Sequence, residues 1–344
     1  MKRLLPALLV LVCLVAAAWV TRDFYQPYQG FSGRVVLEVP TGTSAISVAD
    51  LLVVHGVLAQ PWPFLARTWI GRARHQRLKA GEYLFDRPLR PKDVYRKLVL
   101  GDIYLHQVVV PEGSDRFDIA RILAGTMAIN PDDFLRRTEQ TALIHDLDPQ
   151  APTLEGYLFP DTYRFPRGVS ADTVISTMVA RFRHVIHTRF RDELASGSDD
   201  LHMTVTLASL VEKETPDPAE RPIVAGVFMR RLAKNMLLQC DPTVIYAARL
   251  AGRPIETIRT RDLNFDSPYN TYRHAGLPPG PIANPGEESL RAAFHPADGD
   301  ALYFVSNNHG GHVFAKTLAE HQNNVQRYRR QSRARNRKGG NGKR

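Results

Sequence analysis

Two carboxylates at the end of one apolar helix are the residues best placed to do chemistry in this 344-residue chain. The spacing predicts a mostly buried helix over Met203 to Glu214, stopped by Pro216 and Pro218. The helix closes in Glu212-Lys213-Glu214, although carboxylates near a helix C-terminus oppose its dipole. Two positions apart, the acids point about 200° from each other, so they cannot both face one substrate bond. Glu212 continues the stripe Val205-Ala208-Ser209, whose small side chains leave space, whereas Glu214 continues the bulkier stripe Leu207-Leu210-Val211. A general acid needs a cleft and partial desolvation to raise its pKa. This favours Glu212. A solvated helix end with two surface carboxylates fits the periodicity equally well.

Other phrases offer the polar and aromatic groups that line sugar sites. Gln239-Cys240-Asp241-Pro242-Thr243 reads as a loop entering a helix, with Asp241 as N-cap and Pro242 at the first helical position, and capping alone accounts for Asp241. Ser267-Pro268-Tyr269-Asn270-Thr271-Tyr272 combines rings that stack on pyranose faces with amide and hydroxyl groups. Leu154 to Tyr163 suits a cleft wall, and Gly276 to Ile282 a rigid loop. Asn284-Pro285-Gly286-Glu287 reads as another capped helix start. His309 and His312 read as turn or surface residues, without the carboxylate neighbours of a metal site. Cys13 and Cys240 are the only cysteines, so a cysteine zinc site is excluded. Glycine-rich nucleotide loops and the GxSxG serine motif do not occur.

The elements that must position these groups read as α+β. A strand at Val35 to Val39, a turn at Pro40 to Thr43 and a helix over Ile46 to Val54 come first. The phrase returns 71 residues later, where Val110-Pro111-Glu112-Gly113-Ser114 repeats Val39-Pro40-Thr41-Gly42-Thr43. Such a unit is too small to bury its apolar face alone. Leu78 to Phe85 supplies a further strand and Pro91 to Leu100 a helix. This strand-turn-helix module resembles the LysM type of glycan-binding module, and simple packing units explain it equally well. Downstream come a helix over Asp172 to Leu194, a hairpin around Asn308 to Gly311, and a last helix opened by the capping box Thr317 to Glu320.

The formal charge of +10 sits at the two ends. Lys2 and Arg3 precede an uncharged run from Leu4 to Val20, seventeen residues that span about 26 Å as a helix. The positive-inside rule then exports everything after Val20, whether this run stays as an anchor or is cleaved near Ala16-Ala17-Ala18. Residues 329–344 hold eight basic residues and no acid, a composition that predicts disorder. The body between, residues 4–328, holds 35 basic and 35 acidic residues, so no basic groove for nucleic acid is expected.

Taken in order, Leu207 to Thr215, Leu238 to Tyr246, Ser267 to Tyr272, Gly276 to Pro281, Asn284-Pro285-Gly286, Tyr303-Phe304-Val305 and His312 with Phe314 resemble the MltG (YceG-like) family of endolytic murein transglycosylases. Cys240 departs from the pattern, standing where Thr or another small residue is expected. The resemblance implies a single N-terminal transmembrane helix (1–22), a small LysM-like module (33–106), a larger mixed α+β catalytic domain (107–328) and a basic tail (329–344). It implies cleavage of the MurNAc-β-1,4-GlcNAc bond inside glycan strands with 1,6-anhydro ends, limiting nascent strand length. Glu212 is then the catalytic acid, and Gln239, Asp241, Tyr269, Asn270 and Tyr272 touch substrate. No metal or cofactor is implied. The partners implied are peptidoglycan glycan strands, the inner membrane through residues 4–20 and cell-wall synthases, with the catalytic body in the periplasm. Two other readings stand beside it: a non-catalytic peptidoglycan-binding scaffold, and a hydrolytic muramidase that uses a second carboxylate such as Asp241 or Asp266.

Overall fold

Helices and short antiparallel strands make a mixed α+β fold in the computed structural model, which describes residues 4–196 and 200–340. They divide into two units, Met1–Gln107 with Arg164–Gly168, and Val108–Tyr163 with Val169–Arg344. In the first unit, helix α1 (Leu4–Tyr25) is followed by strand β1 (Val35–Val39), helices α2 (Ala45–Val54) and α3 (Trp62–Arg72), strand β2 (Gly81–Phe85) and helix α4 (Pro91–Leu100). Strand alternation turns Leu37 and Val39 inward and leaves Val36 and Glu38 outside. β2 pairs antiparallel with β1, setting Leu37 opposite Tyr83 and Val39 opposite Gly81. The inward residues share one core with Val48 and Leu52 of α2, Phe64 of α3, and Val94 and Leu98 of α4.

Chemistry fixes the turn after β1. Gly42 adopts φ +82°, a left-handed conformation that glycine tolerates best. The Thr43 hydroxyl donates to the Pro40 carbonyl at 2.7 Å, and Ser44 caps α2 by accepting from the Ser47 N–H. Among the described residues no helix is long and apolar enough to cross a membrane. Most side chains of the expected anchor, 4–20, lie outside the described residues.

Strand β3 (His106–Val109) leads into the second unit. The turn geometry repeats there: Gly113 adopts φ +73°, and the Ser114 N–H reaches the Pro111 carbonyl at 3.3 Å. Asp115 and Asp118 then form a reciprocal capping box at the start of α5 (Arg116–Met127). Next come α6 (Pro131–Arg137), strand β4 (Thr162–Phe165), α7 (Ala171–Arg189), α8 (Arg191–Ser196), α9 (Leu201–Glu214), α10 (Arg221–Ala233), α11 (Asp241–Leu250) and α12 (Glu287–Phe294). The hairpin β5 (Tyr303–Ser306) with β6 (His312–Ala315) and helix α13 (Leu318–Gly340) complete the unit.

Several expectations need correction. The single helix over 172–194 is broken at Phe190, whose fully buried ring stacks on Phe294 at 5.0 Å and leaves helical geometry at φ −129°. The expected disordered tail, 329–344, is helical as far as Gly340, because its Arg, Lys and Gln residues favour helix and no proline interrupts them. Residues 341–344 lie outside the described residues. Asp241 is not the N-cap of α11. Cys240 holds that position, and the Asp241 carboxylate instead accepts from the Tyr272 hydroxyl at 2.5 Å.

Candidate active site

The predicted helix forms as α9, capped by Asp200 and packed on α10, α11 and α12. Its terminal carboxylates part, as their spacing requires, but their surroundings are the reverse of those expected. Glu212 Oε1 accepts from Arg221 Nη2 at 3.1 Å, and Oε2 accepts from the Gly286 N–H at 3.0 Å. The Glu212 side chain is 5% exposed and that of Arg221 7%. Glu112 lies 3.7 Å from the same guanidinium, and Lys213 Nζ closes the flank by donating to the Gly113 carbonyl at 3.0 Å. Both oxygens of Glu212 are therefore engaged, one by an ion pair and one by a backbone N–H.

The space predicted beside Ala208 and Ser209 is occupied. Ser209 Oγ donates to the Thr206 carbonyl at 2.7 Å and accepts from the Ile282 N–H at 3.0 Å. The loop is drawn in so closely that a Cβ on Gly156 would stand 2.5 Å from Pro281 Cγ and 2.9 Å from Val205 Cγ1. Small side chains here admit another part of the chain rather than a ligand.

Glu214 faces open space instead. It lines a polar cavity of about 290 Å³ with Arg231, Gln239, Asp241, Tyr272 and His312. Burial pushes the Glu214 carboxyl above the ordinary carboxylate range; the Cys240 thiol pulls it down, the Asp241 charge pushes it up, and His312 and Arg231 pull it down again. The walls are braced from behind. Glu220 accepts from the His312 N–H at 2.7 Å, sits 2.7 Å from His312 Nδ1 and accepts from the Thr215 hydroxyl at 3.0 Å. Arg231 donates from Nε to the Leu302 carbonyl at 2.7 Å and from Nη1 to the Leu238 carbonyl at 2.8 Å, with its guanidinium 5.1 Å from the Tyr303 ring centre. Gln239 sits at φ +51°, its N–H bonded to the Thr271 carbonyl, with its side chain exposed in the cavity.

Of the expected substrate contacts, Gln239, Asp241 and Tyr272 come together around Glu214. Tyr269 and Asn270 are not in the cavity lining. The Tyr269 ring packs on Tyr246 at 5.2 Å, and burial pushes its hydroxyl up to about 12. Asn270 is fully buried and donates to the Leu263 and Phe265 carbonyls at 3.0 and 2.7 Å, which holds the preceding loop. Leu154 to Pro160 is buried rather than a cleft wall. His312, expected at the surface of a turn, stands on β6 against Glu220. Arg231 and His321 in the lining had no sequence signal.

The Asn284 side chain does not cap α12, whose N-cap is Gly286 without a side-chain bond. Asn284 Oδ1 accepts from the Gly156 and Leu158 N–H groups, both at 2.9 Å, and Nδ2 donates to the Ser114 carbonyl and Glu155 Oε1, also at 2.9 Å. Glu155 further accepts from the Arg116 N–H and the Tyr246 hydroxyl. Burial, with the neighbouring Asp115 charge, pushes the Glu155 carboxyl up to about 8. Among the described residues no group of three or more His, Cys, Asp or Glu side chains could hold a metal ion.

Residues 37–327 match the YceG-like family. This chain belongs to the YceG-like family. An endolytic murein transglycosylase of Bacillus subtilis (strain 168) is 32% identical over 324 residues, which cover 89% of this YceG-like chain and 88% of that protein. One from Streptococcus pneumoniae serotype 2 is 27% identical over 325 residues, covering 85% of this chain but only 58% of the longer pneumococcal protein. In three dimensions the chain is similar to the 2.6 Å crystal structure of a putative YceG-like protein from Listeria monocytogenes. The TM-score is 0.58 at 33% identity, over 84% of this chain and 98% of the other. The YceG-like match spans both units and includes the Glu214 cavity with its braces.

Proposed function

We propose that this YceG-like chain is an endolytic murein transglycosylase, a lyase that cuts the MurNAc-β-1,4-GlcNAc bond within peptidoglycan strands, with Glu214 as its acid and base. One observation carries the assignment. Glu214, held toward its protonated form by burial, is the acid that shares a cavity with Gln239, Asp241 and Tyr272, whereas both oxygens of Glu212 are already bonded. The protonated Glu214 gives its proton to the bridging oxygen as the bond from that oxygen to muramoyl C1 breaks. The resulting carboxylate takes the proton of the muramoyl C6 hydroxyl, whose oxygen bonds to C1. No water is consumed, a 1,6-anhydro end forms, and Glu214 returns protonated. Asp241 serves both stages: its charge raises the Glu214 pKa before the cut and favours positive charge developing at C1. No cofactor is required.

Digestion of purified peptidoglycan tests this. Glu214→Gln is expected to release no anhydro-muropeptides while Glu212→Gln still does; anhydro ends from the Glu214→Gln protein would overturn the assignment. Because Asp241 shares the cavity, a hydrolytic muramidase is the second reading, and mass spectrometry separates it by ends one water heavier. Asp266 does not serve that reading, since its side chain is 84% exposed and absent from the cavity lining. A wild-type protein that binds peptidoglycan without cutting it would instead support a scaffold.

The setting belongs to the same proposal. The uncharged run of residues 4–20 behind Lys2 and Arg3 supports an anchor in the cell inner membrane with the catalytic body in the periplasm, which a reporter fused after residue 328 checks. Two helices between the antiparallel strands β1 and β2 support a LysM-like glycan-binding module. An endolytic cut near cell-wall synthases would limit nascent strand length.

A further inference from the structure

The first unit holds a second polar cavity, larger than that of Glu214. It encloses about 660 Å³ between the turn after β1 and the loop after α3, with Thr43, Ser44, Arg72, His75, Arg77 and Tyr95 in its walls and no carboxylate. Arg72, His75 and Arg77 are exposed. No acidic residue occurs in the sequence between Asp50 and Glu82, and Glu82 is taken by His106 and Arg167. Two guanidinium groups and no carboxylate therefore line the cavity.

It is also rigid. His75 adopts φ +57°, and the Gln76 N–H returns to the Gly71 carbonyl at 3.0 Å, so the basic loop is a fixed reversal. The Tyr95 hydroxyl donates to Gln76 Oε1 at 3.1 Å, and its ring stands edge-on to buried Phe64 at 6.2 Å. The remaining lining is mostly hydroxyl and amide, with Leu78 its one large aliphatic side chain, so an acyl chain would gain little. Guanidinium groups match carboxylates through paired N–H donors, while a tyrosine ring and hydroxyls suit sugar and peptide groups.

We propose that this cavity binds the acidic peptide stems carried by peptidoglycan, with Arg72 and Arg77 taking the stem carboxylates. The proposal rests on the substrate read above and gives the chain a second contact with it, outside the unit that carries Glu214. The test uses the full-length Glu214→Gln protein in detergent, so that binding is measured without cleavage. Its probes are labelled uncrosslinked glycan strands with intact stems, and the same strands after an amidase has removed the stems. Adding Arg72→Gln and Arg77→Gln is expected to weaken binding of stem-bearing strands about tenfold, the worth of one charge-assisted pair, and to leave stem-free strands unaffected. Arg72→Lys with Arg77→Lys, which keeps the charge, is expected to restore part of the loss. Equal binding of stem-bearing strands by the Gln variant and its parent overturns the proposal, as does an equal loss for both kinds of strand. A loss seen only with anionic lipid vesicles also overturns it. If the parent binds neither strand, the substrate reading falls as well.

Discussion

The two sides of the last turn of α9 differ in a way that separates a structural carboxylate from a chemical one. On the Glu212 side every strong partner is present: a guanidinium, a backbone N–H, and a lysine bonded to the adjoining turn. On the Glu214 side the chain leaves a cavity, and burial works against ionisation. Both acids are withdrawn from water, yet only the first is compensated by a full ion pair. A carboxylate with both oxygens bonded holds structure, whereas one that burial pushes toward its protonated form beside a cavity is placed to give a proton away.

Glu214→Gln removes the transferable proton and is expected to lower the rate of anhydro-end formation about a thousandfold, within the usual worth of a positioned general acid. Its stability should move the other way. The folded Glu214 pKa lies above its unfolded value, so the stability this group contributes is present below the unfolded pKa and is lost as pH rises through the folded one. A glutamine that never ionises should therefore melt no lower at neutral pH. Glu212→Gln is the counterpart: it leaves the buried Arg221 with only the more distant Glu112 and is expected to cost about 3 kcal/mol in denaturant melts, while the folded protein still cuts. A Glu212→Gln protein that is as stable as wild type but inactive would reverse the roles.

The sequence favoured Glu212, whereas the cavity lies beside Glu214, and the reason for the difference is instructive. Helical periodicity places Glu212 behind Val205, Ala208 and Ser209, and that placement holds; it does not say what fills the space beside small side chains. Here the filler is Pro281-Ile282, more than seventy residues away in sequence and bound to Ser209. The buried bonds of Asn284 reach back 126 to 170 residues, so a local phrase that reads as a cap conceals a crosslink. By contrast, the repeated turns were legible because each depends on a glycine whose φ is set locally, and the capping box at Thr317 and Glu320 forms for the same reason. The ordered phrases of the second unit likewise carried the family, together with Gln239, Asp241 and Tyr272, three residues that line the Glu214 cavity. They did not reveal Arg231, whose main contacts are the carbonyls of Leu302, Leu237 and Leu238.

A smaller effect sharpens the Glu214 side. Asp241 raises the Glu214 pKa by its charge, and Asn at that position would keep an oxygen for the Tyr272 hydroxyl while losing the charge. The general acid must be protonated, so activity falls as pH rises through its pKa. Asp241→Asn is expected to move this alkaline limb of kcat/KM to lower pH. A limb that stays in place would mean that Asp241 does not act on Glu214 electrostatically; a limb that moves up would contradict the sign of the interaction.

The smallest effect tests the Glu212 side through the repeated turn. Gly42 and Gly113 occupy equivalent places in the two strand-turn-helix copies, at φ +82° and +73°, so alanine at either should cost about 1 kcal/mol in left-handed strain. Their surroundings differ. A Cβ on Gly42 meets nothing within 4 Å, whereas one on Gly113 would stand 3.4 Å from Glu212 Cγ and 3.6 Å from Lys213 Cδ. Gly113→Ala should therefore differ from Gly42→Ala by a few tenths of a kcal/mol, an excess set by ordinary van der Waals contact with the side chains that bond to Arg221 and the Gly113 carbonyl. Placed on a Glu212→Gln background, that excess should change, because residues in contact do not contribute additively. An excess untouched by Glu212→Gln would show that the turn and the ion pair are not coupled, and that Glu212 is held by Arg221 and Gly286 alone.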